Sequence, residues 1–347
     1  MASADLKIQP LATASFGALV TPGDGTAALT CDALVTAGPT LRKQLNDAGG
    51  LMVVRGIEDL RQTPDAFVRI SELFGPEVEN VRATLTAERF FHESVPEVMV
   101  LSNEPPCRHP PPPRPEPSHT ADGSLVVSYP HQTNWHTDQS YRRPPPDITL
   151  LYAITTPPAD QGQTLFADCT AAYATLDDAT KARIEHLDGI HAMSWIGRRE
   201  QDVRNGVTPQ TLLPHQLPQR QPLVRTHPAA GQRSLYLCAS GQMDFVDGPI
   251  AGLEPGPDGE GAVLIDMLMT HVTRAEFVYA HEWQPGDLVI GDNRCLLHAA
   301  TWYDADTHAR LMWRTTVMGN PGDAYCGETA SWVPKDGVAL MQGMENA

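Results

Sequence analysis

Positive charge is scarce in this chain of 347 residues: 25 Lys and Arg stand against 42 Asp and Glu, a formal net charge of −17. A nucleic-acid partner needs a basic footprint, and an anionic membrane surface would repel such a chain, so both are excluded as expected partners. Any anionic ligand must then be held by specific local arginines. Long hydrophobic runs are also missing. Stretches such as Ile148–Ile154 and Ala262–Met269 fall far short of the roughly 20 residues of a membrane span. The first residues, Met-Ala-Ser-Ala-Asp-Leu-Lys, lack a basic region followed by an apolar one, so no secretory signal is expected. The six cysteines, Cys31, Cys107, Cys169, Cys238, Cys295 and Cys326, are scattered and form no CxxC pair. They give no disulfide framework, and the expectation is reduced thiols in a cytoplasmic protein. No internal repeat and no strong linker divides the chain. Residues 1–347 therefore suggest one domain, long enough to bury a large core without a disulfide or zinc staple.

What is present is a series of short apolar segments between Pro and Gly turns. Residues 6–20 suggest a short strand pair. Residues 31–48 suggest a helix with Leu34, Leu41 and Leu45 in phase, stopped by Gly49-Gly50. Leu51–Val54 has the composition of a fully buried strand. Thr63-Pro64-Asp65 signals a helix start, with the helix running to Phe74. Further strands are expected over 97–101, 147–155, from 162 to 166, over 288–292, and over 311–318. A hairpin is expected at 223–225 and 234–237. Helices are expected over 169–187 and 261–279, and a long polar excursion over 196–222. Short strands with helices at the flanks predict a mainly β, antiparallel double-sheet fold. Among such folds the jelly roll, a cupin-like double-stranded β-helix, commonly holds a small-molecule site.

One stretch is of low complexity. Residues 104–118 carry Pro105, Pro106, Pro110–Pro113, Pro115 and Pro117, which favours polyproline-type chain. It is either a surface insertion or a lid or docking segment, since it runs toward Asn134-Trp135-His136-Thr137-Asp138. In an extended strand, residues two apart share a face, so His136 and Asp138 can aim an imidazole and a carboxylate at one point. The chain has 13 histidines, and a chance His-X-Asp is common. A third candidate ligand is His298, which follows the predicted strand and turn ending Asp292-Asn293-Arg294. Two histidines and one carboxylate make a facial triad suited to non-haem Fe(II). Arg310 and Arg314 lie four apart on a later strand, hence on one face. Inward-facing guanidiniums are costly without anionic partners, and bidentate Arg suits a carboxylate. Two structural salt bridges are the plainer reading of the same pair.

Five segments together resemble the taurine dioxygenase / 2,4-dichlorophenoxyacetate dioxygenase family of Fe(II)- and 2-oxoglutarate-dependent oxygenases. They are Asn-Trp-His-Thr-Asp at 134–138, Gly-Gln-Thr-Leu-Phe at 162–166, the stretch 222–236, Gly-Asp-Leu-Val-Ile-Gly-Asp-Asn-Arg at 286–294 with His298, and Arg-Leu-Met-Trp-Arg-Thr-Thr-Val at 310–317. They stand in the family's order and span most of the chain. The resemblance implies that His136, Asp138 and His298 bind Fe(II). It also implies that Thr164 and Arg310 hold the far carboxylate of 2-oxoglutarate, with O2 as second cosubstrate. Arg314 falls where relatives bind a substrate anion, Asn134 would line the pocket, and Trp195 falls near an aromatic that covers substrate. The expected partner is a small, anionic molecule, oxidised at a C–H bond with release of succinate and CO2. A homodimer or tetramer is the family's habit. The proline-rich segment is longer than the family pattern, and residues 80–96, where His92 is the candidate for a substrate-facing histidine, fit it poorly. Two other classes remain open: a non-catalytic cupin-like metal- and 2-oxoglutarate-binding protein, and a zinc hydrolase with the same ligands.

Overall fold

Ile148, Leu150 and Tyr152 are buried on one side of their strand, while Thr149 and Leu151 on the other side face a cavity. That alternation divides the molecule into an outer and an inner layer. The computed structural model describes residues 6–24, 28–57, 59–84, 88–114, 121, 135–213 and 216–319. Among them the N-terminal part forms β1 (Leu6–Pro10), β2 (Ala18–Pro22), α1 (Cys31–Thr36), α2 (Gly38–Asp47), β3 (Leu51–Val54), α3 (Pro64–Ser71), α4 (Val81–Thr84) and β4 (Met99–Ser102). The middle forms β5 (Ile148–Thr155), β6 (Thr164–Asp168), α5 (Cys169–Thr175), α6 (Asp178–Ile184), β7 (Asp188–His191), α7 (Glu200–Arg204), β8 (Gln219–Pro222), β9 (Val224–Thr226) and β10 (Arg233–Leu235). The last part forms α8 (Glu260–Val272), β11 (Val278–His281), β12 (Leu288–Asp292), β13 (Leu296–Ala300) and β14 (Leu311–Val317).

The major sheet has the order β1-β2-β3-β12-β5-β14-β4 and the minor sheet β11-β6-β13. A bridge between His136 and His298 lays residues 135–137 along the free side of β13. The two sheets face each other as the expected jelly roll, with open edges rather than a closed barrel. All major-sheet pairings are antiparallel except β2 with β3. On the outer face of the major sheet, Ile148, Leu150, Tyr152, Ile290 and Trp313 pack against Leu34, Leu41, Leu45, Phe67 and Ile70 of the N-terminal helices. Each such side chain, fully buried, contributes about 2 kcal/mol. Behind the minor sheet, Leu165, Ala167, Leu297 and Ala299 pack against Leu264, Ile265 and Leu268 of α8. No described helix is long and apolar enough to cross a membrane.

Several expected elements differ in extent. The helix expected over 31–48 is two helices, because Pro39 sits in the first turn of α2 and the chain restarts at Ala37. The helix expected over 169–187 is likewise two. Asp177 caps α6 by accepting a hydrogen bond from the Thr180 amide, and that cap breaks the run. The helix predicted to reach Phe74 stops at Ser71. The helix predicted over 261–279 ends at Val272, and Val278–His281 becomes β11 because β6 offers it a full antiparallel edge. Tertiary pairing there overrides an apolar pattern that carries no Gly or Pro stop. The polar stretch 196–222 contains α7 and β8, and β8 pairs with β7. Residues 110–114 have no regular structure, as expected of the proline run; 115–118 lie outside the described residues.

Candidate metal centre

His136 and His298 exchange both backbone hydrogen bonds, at 3.0 and 2.7 Å. A pair joined in this way points its side chains to one face, and the imidazole centroids are 4.3 Å apart. Residue 138 does not continue the strand, contrary to the extended His-X-Asp expected. The chain turns there, with Gln139 at φ +46° and the Arg142 amide donating to the Gln139 carbonyl at 2.9 Å. The turn carries the Asp138 carboxylate back beside the two rings. Its Oδ1 is 3.8 Å from His136 Nε2 and 3.9 Å from His298 Nε2. All three donor atoms lie within 4.8 Å of one another.

Two residues orient the carboxylate. Thr149 Oγ1 donates to Asp138 Oδ2 at 2.6 Å and accepts from Asn293 Nδ2 at 3.0 Å. Thr137 Oγ1 donates to the Asn293 carbonyl at 2.8 Å. A second anchor is Glu79, itself buried. It accepts from Gln139 Nε2 and from Arg142 Nη1, each at 2.7 Å, and its amide donates to the Thr316 carbonyl of β14 at 2.8 Å. The left-handed turn after Asp138 is thus tied to the strand that bears Arg314.

Burial alone would raise the pKa of Asp138, but Arg314, His298, His136 and the Thr149 hydroxyl outweigh it and hold the carboxyl well below its usual range. Burial, helped by His136 and Arg314 and opposed by Asp138, lowers His298 to about 3. The site therefore offers an anionic carboxylate and, at His298, a neutral imidazole with a free lone pair. With one carboxylate oxygen engaged by Thr149, the other faces both rings. This donor set fits a metal of the kind served by two histidines and a carboxylate.

A second cluster, His227, Asp292 and Cys295, also brings ligand-type atoms together. Asp292 is saturated there. It accepts from Arg294 Nε at 2.8 Å and Nη2 at 2.6 Å and is bonded to His227 Nε2 at 2.9 Å. Burial drives the Cys295 thiol far above its usual value, so no thiolate is available. This group braces the turn between β12 and β13.

The three candidate ligands stand on the wall of a cavity of about 460 Å³ between the sheets. Met99, Leu101, Leu151 and Val289 line one side, and Phe166 and Leu296 the other. Arg310 and Arg314 both face it, as their spacing predicts. The register between β5 and β14 skips Ile154, so the irregularity falls on β5 and the two arginines keep one face. The Arg310 side chain meets no carboxylate among the described residues, and burial lowers its guanidinium against a weaker opposite influence of Tyr303. Thr164 lines the same cavity. Its hydroxyl accepts from Trp283 Nε1 at 3.0 Å, leaving its own proton free to donate. Arg314 Nη1 lies 3.3 Å from Asp138 Oδ1, and its Nε is buried with no hydrogen-bond partner among the described residues.

Two expected substrate residues are not brought here. Trp195 stacks edge-on against Tyr141, with centroids 6.0 Å apart, and does not line the cavity. His92 stands edge-on to Trp313 at 4.9 Å, and Trp313 belongs to the outer face of the major sheet. Asn134 lies outside the described residues. The structure adds Thr149, Asn293, His109 and Tyr303 to the cavity wall. Thr149 carried one signal in the sequence, a polar residue on the inward parity of an apolar strand.

Three comparisons with known proteins bear on this geometry. The family model described as taurine catabolism dioxygenase TauD, TfdA family matches residues 9–316. The (S)-phenoxypropionate/alpha-ketoglutarate-dioxygenase of Sphingobium herbicidovorans is 35% identical over 191 residues, 54% of this chain and 62% of that protein. The alpha-ketoglutarate-dependent 2,4-dichlorophenoxyacetate dioxygenase of a Burkholderia species is 33% identical over 205 residues, 57% of this chain and 62% of that protein. The chain thus spans about 62% of the length of these curated relatives. Among solved structures, AAD-2 in complex with Mn(II) and N-oxalylglycine superposes with a TM-score of 0.62 at 28% identity, covering 91% of this chain and 97% of that one.

Proposed function

The chain belongs to the taurine catabolism dioxygenase TauD, TfdA family, and from that premise we propose that it is an Fe(II)- and 2-oxoglutarate-dependent oxygenase. Its substrate is a small organic anion, oxidised at a C–H bond with release of succinate and CO2. One observation carries the reading: three donor atoms within 4.8 Å of one another stand on a cavity that also holds Arg310, a guanidinium with no carboxylate beside it among the described residues. A hydrolase built on the same ligands has no use for that cation.

His136, Asp138 and His298 would hold the metal. When bound, Fe(II) supplies the activation of O2 that couples 2-oxoglutarate decarboxylation to C–H oxidation. The remaining work is the protein's. Thr149 and Asn293 fix the Asp138 carboxylate, so that its orientation is set before the metal arrives. Arg310 and Thr164 anchor the far carboxylate of 2-oxoglutarate, one by charge and one by a hydroxyl proton. Arg314 binds the substrate anion from the same face. Leu101, Leu151, Phe166 and Leu296 exclude water and hold the substrate's apolar part. The names of the two relatives, a phenoxypropionate and a 2,4-dichlorophenoxyacetate dioxygenase, support an aryloxyalkanoate as the substrate class. The five described cysteines are buried free thiols, which supports a reducing, cytoplasmic setting.

The test is Fe(II)-dependent formation of succinate from 2-oxoglutarate in the presence of aryloxyacetates. His136→Ala and Asp138→Ala should each abolish it. Turnover that survives either substitution, or hydrolysis with Zn(II) and no 2-oxoglutarate, would sink the assignment. Arg314→Leu should raise KM for the aryl acid at least tenfold while 2-oxoglutarate consumption without substrate persists.

A further inference from the structure

Between β4 and the end of the described proline run, the chain crosses the cavity mouth as a strap. Its base is pinned to the loop ahead of β14. Asn103 Nδ2 donates to the carbonyls of Ala305 and His308, each at 3.0 Å, and Asn103 Oδ1 accepts from the Arg310 amide at 2.8 Å. The chain then reverses through Arg108, which has φ +50°. The His109 amide closes the turn on the Ser102 carbonyl at 2.6 Å. The far end is clasped: the Arg114 guanidinium sits 4.8 Å from the ring centroid of Trp302, which follows β13. Between the two anchors His109 and Pro110–Pro113 line the cavity. Consecutive prolines have fixed φ and no amide donors, so this wall is stiff and lies over the pocket at small entropic cost.

Among the strap residues that line the cavity, His109 and Pro110–Pro113, the His109 side chain alone can donate a hydrogen bond. Its ring rests edge-on against Phe90, with centroids 6.1 Å apart. Its ring nitrogens have no hydrogen-bond partner among the described residues. We propose that His109 is a further binding residue of this pocket, hydrogen-bonding the dicarboxylate held at Arg310, and that the strap clasped at Trp302 keeps that ligand in place. Although His109 keeps exposure to solvent, the protein packed around it, with Arg310 and Arg89, lowers its pKa, which favours a neutral ring that adds a hydrogen bond without adding charge. The inference rests on the oxygenase reading, because it takes 2-oxoglutarate as the occupant of the Arg310 end.

The experiment uses N-oxalylglycine, a non-reacting analogue of 2-oxoglutarate, with Mn(II) as the metal. Binding is read by calorimetry and dissociation by stopped flow. His109→Ala should weaken N-oxalylglycine roughly tenfold, the loss of one hydrogen bond to a charged group, and leave the Mn(II) affinity unchanged. His109→Asn, which keeps a donor, should recover most of that loss. Arg114→Ala should speed dissociation about two- to fivefold, the scale of an exposed cation–π contact. An N-oxalylglycine affinity within twofold of the parent in His109→Ala overturns the proposal, as does a parallel loss of Mn(II). An unchanged dissociation rate in Arg114→Ala overturns the clasp. A parent protein that binds Mn(II) but no N-oxalylglycine overturns the oxygenase reading itself, and this inference with it.

Discussion

At the scale of the residue, the candidate ligands were legible and their supports were not. His136, Asp138 and His298 announce themselves because donor chemistry is confined to few residue types and their segments stand in a known order. Thr149 and Asn293 are common residues, and nothing in their neighbours shows that a fold places both on one carboxylate. Trp195 and His92 show the converse: position along the chain suggested a role, and the fold places neither among the residues that line the cavity. The supports are testable. Thr149→Val removes the donor to Asp138 Oδ2 and keeps the shape, and it should weaken Mn(II) binding about 10- to 100-fold, as loss of a partner behind a metal ligand does. Calorimetry of the metal-free protein reads this directly, and an unchanged affinity would remove Thr149 from the site's support.

A second residue-scale consequence concerns acid. His191 is fully buried, its Nδ1 lies 2.8 Å from Ser140 Oγ, and burial with Arg225 lowers its pKa from 6.5 to about 3. Folded protein keeps this ring neutral, whereas the unfolded chain takes up the proton below about 6.5. The linkage sign follows: stability is undiminished above 6.5 and falls as pH drops from 6.5 toward 3, because the unfolded state binds more protons there. Urea denaturation midpoints measured between pH 7 and 4 should fall with acid, and His191→Asn should flatten that slope relative to the parent. A slope that is the same in both proteins would assign the acid sensitivity elsewhere.

At the scale of the element, the strands of the major sheet were legible, while helix ends and most strands outside that sheet were not. Alternation on β5 and the solid apolar run of β3 are properties of the residues themselves, so the sheet follows from them. Where α8 stops and β11 begins is decided by β6, a partner more than 100 positions earlier, and no local signal marks it. The turn at 138–142 is a similar case. His-X-Asp suggested one extended strand, but Glu79 holds a left-handed residue behind the carboxylate, and Glu79 is about 60 positions away. Glu79→Ala leaves the buried Arg142 guanidinium without this carboxylate and should cost about 3–5 kcal/mol of stability. Denaturant unfolding measures it. If the loss is under about 1 kcal/mol, the turn is held by other contacts.

At the scale of the whole molecule, the cationic cavity sits inside a strongly acidic protein. The formal charge of −17 sets a far field that opposes the approach of an anion, while Arg310 and Arg314 attract it only at close range. Salt separates the two ranges. At about 0.01 M ionic strength the Debye length is roughly 30 Å and a ligand feels the whole molecule; at about 0.15 M it is roughly 8 Å and only the nearby guanidiniums count. The association rate of N-oxalylglycine with the Mn(II)-loaded protein should therefore rise by a few-fold across that range, the reverse of a basic, steering surface. The dissociation rate, governed by contacts inside the cavity, should change far less. Stopped-flow traces at several salt concentrations give both rates. An association rate that falls with added salt would mean that the pocket's local field dominates at long range, and that the acidic surface is arranged away from the mouth.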